Sequence, residues 1–248
     1  MPFDSTTIIV AVSLLVAAYI KGLTGMGFPL IATPMVTLLL DIRTAVIILV
    51  IPNIIMDLTL AIRSSSTTNI FRRFFWLLLM TVVGVFLGTK TLVMLPLWIL
   101  NLSLAIMVLI FVVSNLFHPN YQISPRTEGI LSPFAGFIGG FLNGMTNVGA
   151  PATAIYLYCL QLPKSEFIKS IATIFIVSKV VQLIAITTWN LFNPWNLSLS
   201  VYVTLFIMVG FYLGLKTQDR VNQKAFNRVL LALISLFGVA LIVNALAY

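Results

Sequence analysis

Apolar residues run along this chain almost without interruption, so helix boundaries must be read from the short polar breaks and not from a 3.6-residue period. The breaks mark ten apolar elements, over residues 8–21, 28–40, 44–62, 71–90, 97–117, 130–141, 150–162, 167–187, 197–215 and 225–247. Asp41-Ile42-Arg43 reads as a tight turn, the Ser- and Thr-rich stretch 63–70 as a loop, and 118–129 as the longest polar connection. Most elements reach or approach the roughly 20 residues that a helix needs to span a bilayer. Residues 8–21, 28–40, 130–141 and 150–162 fall short, at roughly 20 Å each or less for a 1.5 Å rise per residue. They are expected to be half-helices forming two hairpins that enter from opposite faces and meet near the midplane.

The two interrupted stretches are Lys21-Gly22-Leu23-Thr24-Gly25-Met26-Gly27-Phe28-Pro29 and Gly140-Phe141-Leu142-Asn143-Gly144-Met145-Thr146-Asn147-Val148-Gly149-Ala150-Pro151. They sit at corresponding places in a chain that repeats itself. Gly84-Val85-Phe86-Leu87-Gly88-Thr89-Lys90-Thr91 matches Gly210-Phe211-Tyr212-Leu213-Gly214-Leu215-Lys216-Thr217, Gly25-Met26 matches Gly144-Met145, and Pro29 matches Pro151. The expected organisation is a first repeat at 1–117, a connecting loop at 118–129 and a second repeat at 130–248, together one transmembrane domain. Glycines four apart, Gly84/Gly88 and Gly210/Gly214, are read as close helix contacts.

Composition fixes the solvent. Of 248 residues 60% are hydrophobic and 8% charged, with a mean hydropathy of +1.10, whereas a soluble domain carries about 25% charged residues. The formal charge of +8 sits mainly in short loops, where it orients a membrane protein, and no basic domain is available for nucleic acid. With five crossing or returning elements per half, Arg63, Arg72, Arg73, Arg126, Lys164, Lys169, Lys216, Arg220, Lys224 and Arg228 share one side, against Arg43 and Lys90 on the other. Equivalent loops then carry opposite charge, which points to inverted repeats and to both termini outside. No Lys or Arg precedes Lys21, so the first run reads as a retained membrane segment and not a cleaved signal. Cys159 lies in an apolar run and reads as a packing residue; His118 has no cluster of metal ligands beside it. No metal and no cofactor is expected.

Backbone broken at membrane depth survives only when buried in protein or lining a polar cavity. Each loop leads into a helix N-terminus with free N–H groups and about half a positive charge, which suits an anion. The candidate anion-binding residues are Thr24, Gly25, Met26 and Gly27 in the first stretch and Asn143, Gly144, Met145, Thr146, Asn147 and Gly149 in the second. Met26 and Met145 either pack against the helices or wall the pocket against the apolar end of an organic ligand. Lys179 and Asp57 lie inside apolar runs, opposite one another in the repeat, and should face the interior. Lys179 suits substrate attraction and Asp57 a coupling proton; the competing reading is a structural ion pair or snorkelling. Lys21 borders the first loop, either as a substrate ligand or as a cation at a helix C-terminus. Asn53 and Gln182 are polar positions in the same helices as Asp57 and Lys179. Asp41 and Arg43 read as turn and topology residues.

With these motifs, residues 21–34 and 140–158 and the two Gly-x-x-x-Gly helices, the chain resembles the sulfite exporter (TauE/SafE) family of membrane transporters. The family usually has further glycines where this chain has Phe28-Pro29, and a Gly-Gly-rich version of Asn147-Val148-Gly149-Ala150-Pro151. The resemblance implies transport of sulfite, sulfonates or related sulfur oxyanions across the cytoplasmic membrane. The expected protein is therefore an all-α polytopic secondary transporter, working by alternating access on a small anionic substrate among membrane lipid, possible as a homodimer. An anion channel with the same geometry and a non-transporting membrane subunit are the alternatives. No zinc motif, carboxylate pair or activated nucleophile supports an enzyme.

Overall fold

A computed structural model of the protein describes residues 5–117 and 123–217. Every element in it is a helix: α1 (Ser5–Thr24), α2 (Phe28–Leu39), α3 (Ile42–Arg63), the single turn α4 (Ile70–Arg73), α5 (Phe75–Met94), α6 (Leu97–Phe117), α7 (Pro125–Thr146), α8 (Ala150–Cys159), α9 (Lys164–Thr188) and α10 (Pro194–Thr217). Among them α3, α5, α9 and α10 are each long and apolar enough to cross a membrane. Large apolar side chains on their outer faces, such as Leu79, Phe86, Val180, Leu205 and Val209, are exposed, as lipid contact requires. Among the described residues the fold is all-α, and the chain is a multi-pass membrane protein. The predicted last helix, 225–247, and Arg220, Lys224 and Arg228 lie outside the described residues.

Helix ends follow local chemistry. Asp41 caps α3, accepting from the Thr44 N–H at 2.9 Å and the Thr44 hydroxyl at 2.6 Å. Arg43 reaches back to the far end of α5 and donates to the carbonyls of Leu92, Val93 and Leu95 at 3.0, 3.2 and 2.7 Å. It satisfies C-terminal carbonyls that lipid could not. Ser124 accepts from the Thr127 N–H at 3.4 Å and Pro125 follows in the first turn, so α7 starts inside the stretch expected to be loop.

The expected half-helices divide unequally. α1 has 20 residues and α7 has 22, roughly 30 Å or more at 1.5 Å per residue. α2 has 12 and α8 has 10. Each hairpin therefore joins a long arm to a short one. Helix continues through Asn143-Gly144-Met145 because Gly144 serves as a contact position there, not as a breaker.

The glycines decide how the halves interlock. In α10, Gly210 and Gly214 lie against the backbone of Leu15 and Tyr19 in α1; in α5, Gly84 and Gly88 lie against Phe137 and Phe141 in α7. Conversely, Gly22 of α1 meets Phe211 and Leu215, and Gly144 of α7 meets Val85 and Thr89. The same contact is made twice, each time between a helix of one half and the long hairpin arm of the other. A Cβ at any of these glycines would strike main-chain atoms of its partner, so the spacing is set by backbone approach in lipid, as expected for Gly-x-x-x-Gly. Between these pairs lie α3 and α9. The Ser64 hydroxyl, just beyond α3, donates to the Ser165 carbonyl in the first turn of α9 at 2.7 Å. Ile47 and Val50, near the start of α3, pack with Ile186 near the end of α9. The two helices run antiparallel.

Candidate functional site

The two loops are built alike. α1 ends on Thr24 and α7 on Thr146, and each hydroxyl donates to the carbonyl four residues back, Ile20 and Leu142, both at 2.9 Å. Each then accepts from the N–H two residues on, Met26 at 3.2 Å and Val148 at 3.3 Å. The next residue is left-handed in both, Gly25 at φ 82° and Asn147 at φ 64°, a conformation that glycine and asparagine tolerate best. Pro29 and Pro151 then occupy the first turns of α2 and α8. The loops thus correspond as Thr24 with Thr146 and Gly25 with Asn147. The expected match of Gly25-Met26 to Gly144-Met145 is corrected: Gly144 and Met145 belong to α7, before its loop. Met145 is buried and Met26 packs against the core from a partly buried position. The threonine hydroxyls are used within their own loops.

Nor do the loops meet. A Cβ on Gly25 would touch Ile168, in the second turn of α9, at 3.6 Å, while Asn147 Nδ2 donates to the Val46 carbonyl, in the second turn of α3, at 3.3 Å. Because α3 and α9 are antiparallel, these positions lie towards opposite ends of the pair. The loops do not touch as expected, because the long arms carry them towards different ends of the α3–α9 pair.

What lies deep between the loops is polar. Lys21 Nζ, in the last turn of α1, contacts Asp57 Oδ1 at 2.8 Å and donates to Asn53 Oδ1 at 2.9 Å, both on α3. Asn53 is itself held by donating to the Leu49 carbonyl at 2.8 Å. Asp57 Oδ2 is buried without a hydrogen-bond partner. This node carries a balanced pair of charges. The second node does not. Lys179 of α9 is 1% exposed and donates to Asn143 Oδ1 at 2.9 Å, Asn147 Oδ1 at 2.5 Å and Gln182 Oε1 at 2.8 Å. Gln182 Nε2 in turn donates to the carbonyls of Asn143 and Gly144 at 3.2 and 3.0 Å. The ammonium has three neutral oxygens and, among the described residues, no carboxylate within ion-pair distance. Asn143 Nδ2 beside it is buried and unpartnered.

The structure therefore gathers Asn143, Asn147, Lys179 and Gln182 into one cluster and Lys21, Asn53 and Asp57 into another. Asp57 pairs with Lys21, not with its repeat counterpart Lys179. Sequence reasoning missed that pair, although Lys21 and Asp57 are equivalent in the repeat to Asn143 and Lys179. A lysine and its oxygen ligand have exchanged places between the two halves.

A model of the family described as Sulfite exporter TauE/SafE matches residues 9–241. This chain belongs to the sulfite exporter TauE/SafE family. Neither the curated proteins nor the solved structures give a match. Membership suggests a membrane exporter of sulfite or a related sulfur anion, and agrees with a protein that is not an enzyme. In this TauE/SafE chain the Lys21–Asp57 node allows a stability test. Breaking a buried pair by removing one partner costs about 3–5 kcal/mol, whereas replacing both with apolar groups is often neutral. Asp57→Asn should lower the melting temperature in detergent, and Lys21→Met combined with Asp57→Leu should recover most of the loss. An Asp57→Asn protein as stable as the parent would show that the pair contributes nothing to the fold.

Proposed function

We propose that this chain is a secondary transporter that carries a small sulfur oxyanion, sulfite or a sulfonate, across the cytoplasmic membrane by alternating access, with Lys179 as the charge that holds the anion. The observation that carries this reading is the buried Lys179 ammonium without a carboxylate, next to the unpartnered Asn143 Nδ2. Moving an ammonium out of water costs several kcal/mol even after relaxation, and three amide oxygens offset only part of it. An oxyanion would complete the neutralisation and take the spare Asn143 N–H.

The antiparallel run of the equivalent helices α3 and α9, and the contact repeated by α10 with α1 and α5 with α7, support inverted repeats at 1–117 and 130–248. Arg63, Arg72, Arg73, Lys164 and Lys169 gather at the end marked by the Ser64–Ser165 bond, and we take that end as cytoplasmic. With no nucleotide-binding motif in the sequence, the energy source is an ion or substrate gradient. Asp57, with one carboxylate oxygen free of hydrogen bonds, is the candidate coupling group.

A thermal-shift panel of sulfite, thiosulfate, sulfate, sulfoacetate, taurine, phosphate and carboxylates tests the substrate class. A ligand at a hundred times its Kd adds about 2.7 kcal/mol, enough to read as a shift of several degrees. Sulfur oxyanions should stabilise the protein, and the best of them should accumulate in proteoliposomes under an imposed gradient. Stabilisation by carboxylates alone would refute the substrate class, and currents too large for a carrier cycle would refute alternating access.

A further inference from the structure

At the end of the bundle where α3 stops and α9 starts, a cavity of about 450 Å³ opens between the two helices. Its rim is basic. Arg63, the last residue of α3, and Lys164, the first of α9, both line it and both are exposed. Neither has a carboxylate within ion-pair distance among the described residues. Glu166, the acid nearest in sequence, is taken by Arg73 at 2.5 Å. Between the two cations lie Ser65 and Ser165, and the first turn of α9 has no side-chain cap on its N–H groups. The lining includes Ile168, whose side chain an added Cβ on Gly25 would also touch, so the cavity and the first loop border the same residue. The wall is held in place from outside: Ser64 donates to the Ser165 carbonyl at 2.7 Å and Lys169 to the Ser66 carbonyl at 2.6 Å.

We infer that this cavity is a capture site for a small oxyanion, placed at the mouth of the path to the buried nodes. Two uncompensated cations, hydroxyl donors and a helix N-terminus face one volume, and no acid lines it. All of these favour negative charge. The volume holds an oxyanion together with several waters, so the anion keeps most of its hydration. Binding is weak and fast, and its effect is to raise the local anion concentration. The identity of the anion rests on the transport reading above; the charge selectivity of the cavity does not.

The test separates the two. Cys159, the single cysteine, is replaced by Ala, and Ser65→Cys places a thiol on the rim. In nonionic detergent at low ionic strength, an anionic methanethiosulfonate reagent (sulfonatoethyl) should label it at least tenfold faster than a cationic one (trimethylammonioethyl). Sulfate should slow the anionic reagent. In the Arg63→Gln, Lys164→Gln double variant the ratio should fall to near one. In proteoliposomes that variant should show a severalfold higher KM for the transported anion with kcat within twofold, the gap closing as salt shortens the Debye length. A ratio near one in the parent, a ratio unaffected by the double substitution, or an unchanged KM would each overturn the capture site. Charge-selective labelling of a protein that moves no sulfur oxyanion would instead overturn the transport reading and leave the anion site standing.

Discussion

Lys179→Ala is expected to cut sulfite or sulfonate flux in proteoliposomes by about a hundredfold while leaving the fold intact. A charge-assisted hydrogen bond is worth about 1.5–3 kcal/mol, and 1.4 kcal/mol is a factor of ten. Losing one such bond plus the net attraction of the only unneutralised buried cation among the described residues reaches two decades. Stability moves far less, because two terms of similar size oppose each other. The variant loses the bonds from Nζ to Asn143, Asn147 and Gln182, but it no longer has to bury an ammonium. Water can occupy the vacated space and donate to the three oxygens. Lys179→Arg should recover little, since a larger planar guanidinium, with its donors spread over three nitrogens, does not match three oxygens that converge on one buried nitrogen. Flux within threefold of the parent, with an unchanged melting temperature, would remove Lys179 from the mechanism.

The contrast between the two nodes gives that prediction its direction. Lys21 has Asp57 at 2.8 Å, whereas Lys179 has amides. The same buried cation is therefore a structural partner in one half and an unsatisfied charge in the other. Removing Lys21 orphans a carboxylate and should act first on stability. Removing Lys179 orphans only neutral groups and should act first on transport. On the transport reading proposed above, this asymmetry predicts one anion per chain, held at Lys179 and not at Lys21.

Much of this was legible before any coordinates. Lipid dictates composition, so the apolar runs identify the membrane class, and starts marked by proline or glycine fall where expected: α2 at Phe28, α6 at Leu97 and α8 at Ala150. The long arm α7 was not legible. Its start hides in a polar connection, where Ser124-Pro125 is the one signal, and its end runs through Asn143-Gly144, which reads as a loop by soluble propensities. In a bundle without a hydrophobic driving force between helices, glycine marks contact rather than breakage. The candidate site was half legible. Lys179 and Asp57 stand out because a charge in an apolar run demands a reason. Their partners do not, since Lys21 is 36 residues from Asp57, and Asn143 and Asn147 lie 36 and 32 residues from Lys179. Only packing brings them together. In the sequence the basic rim carries only a topology signal, because Arg63 and Lys164 line one cavity only once α3 and α9 are set antiparallel.

The largest expected effect on folding comes from the glycines. Gly88→Ala and Gly214→Ala should each lower the melting temperature by about 10 °C, and Leu at either position should leave little folded protein. At Gly88 an added Cβ would overlap the Phe141 carbonyl oxygen and stand 2.9 Å from its carbon; at Gly214 it would overlap the Tyr19 carbonyl oxygen and stand 3.1 Å from the Gly22 Cα. These are main-chain atoms of a helix, which no rotamer change can move aside. Overpacking of well-packed sites costs about 1–3 kcal/mol and more when backbone must shift, and for a chain this long 1 kcal/mol is roughly 2–4 °C. Gly129 supplies the control. It lies in α7 with nothing within 4 Å of an added Cβ, so Gly129→Ala should be neutral or stabilise slightly through helix propensity. Melting points for Gly88→Ala and Gly214→Ala within 2 °C of the parent would refute close backbone contact as the force holding the halves. The two losses should also match, because the contacts are copies of one another. Each of these contacts joins a helix of one half to the long arm of the other. A single methyl at either glycine therefore acts on the assembly of the whole bundle, and neither half is expected to fold without its partner.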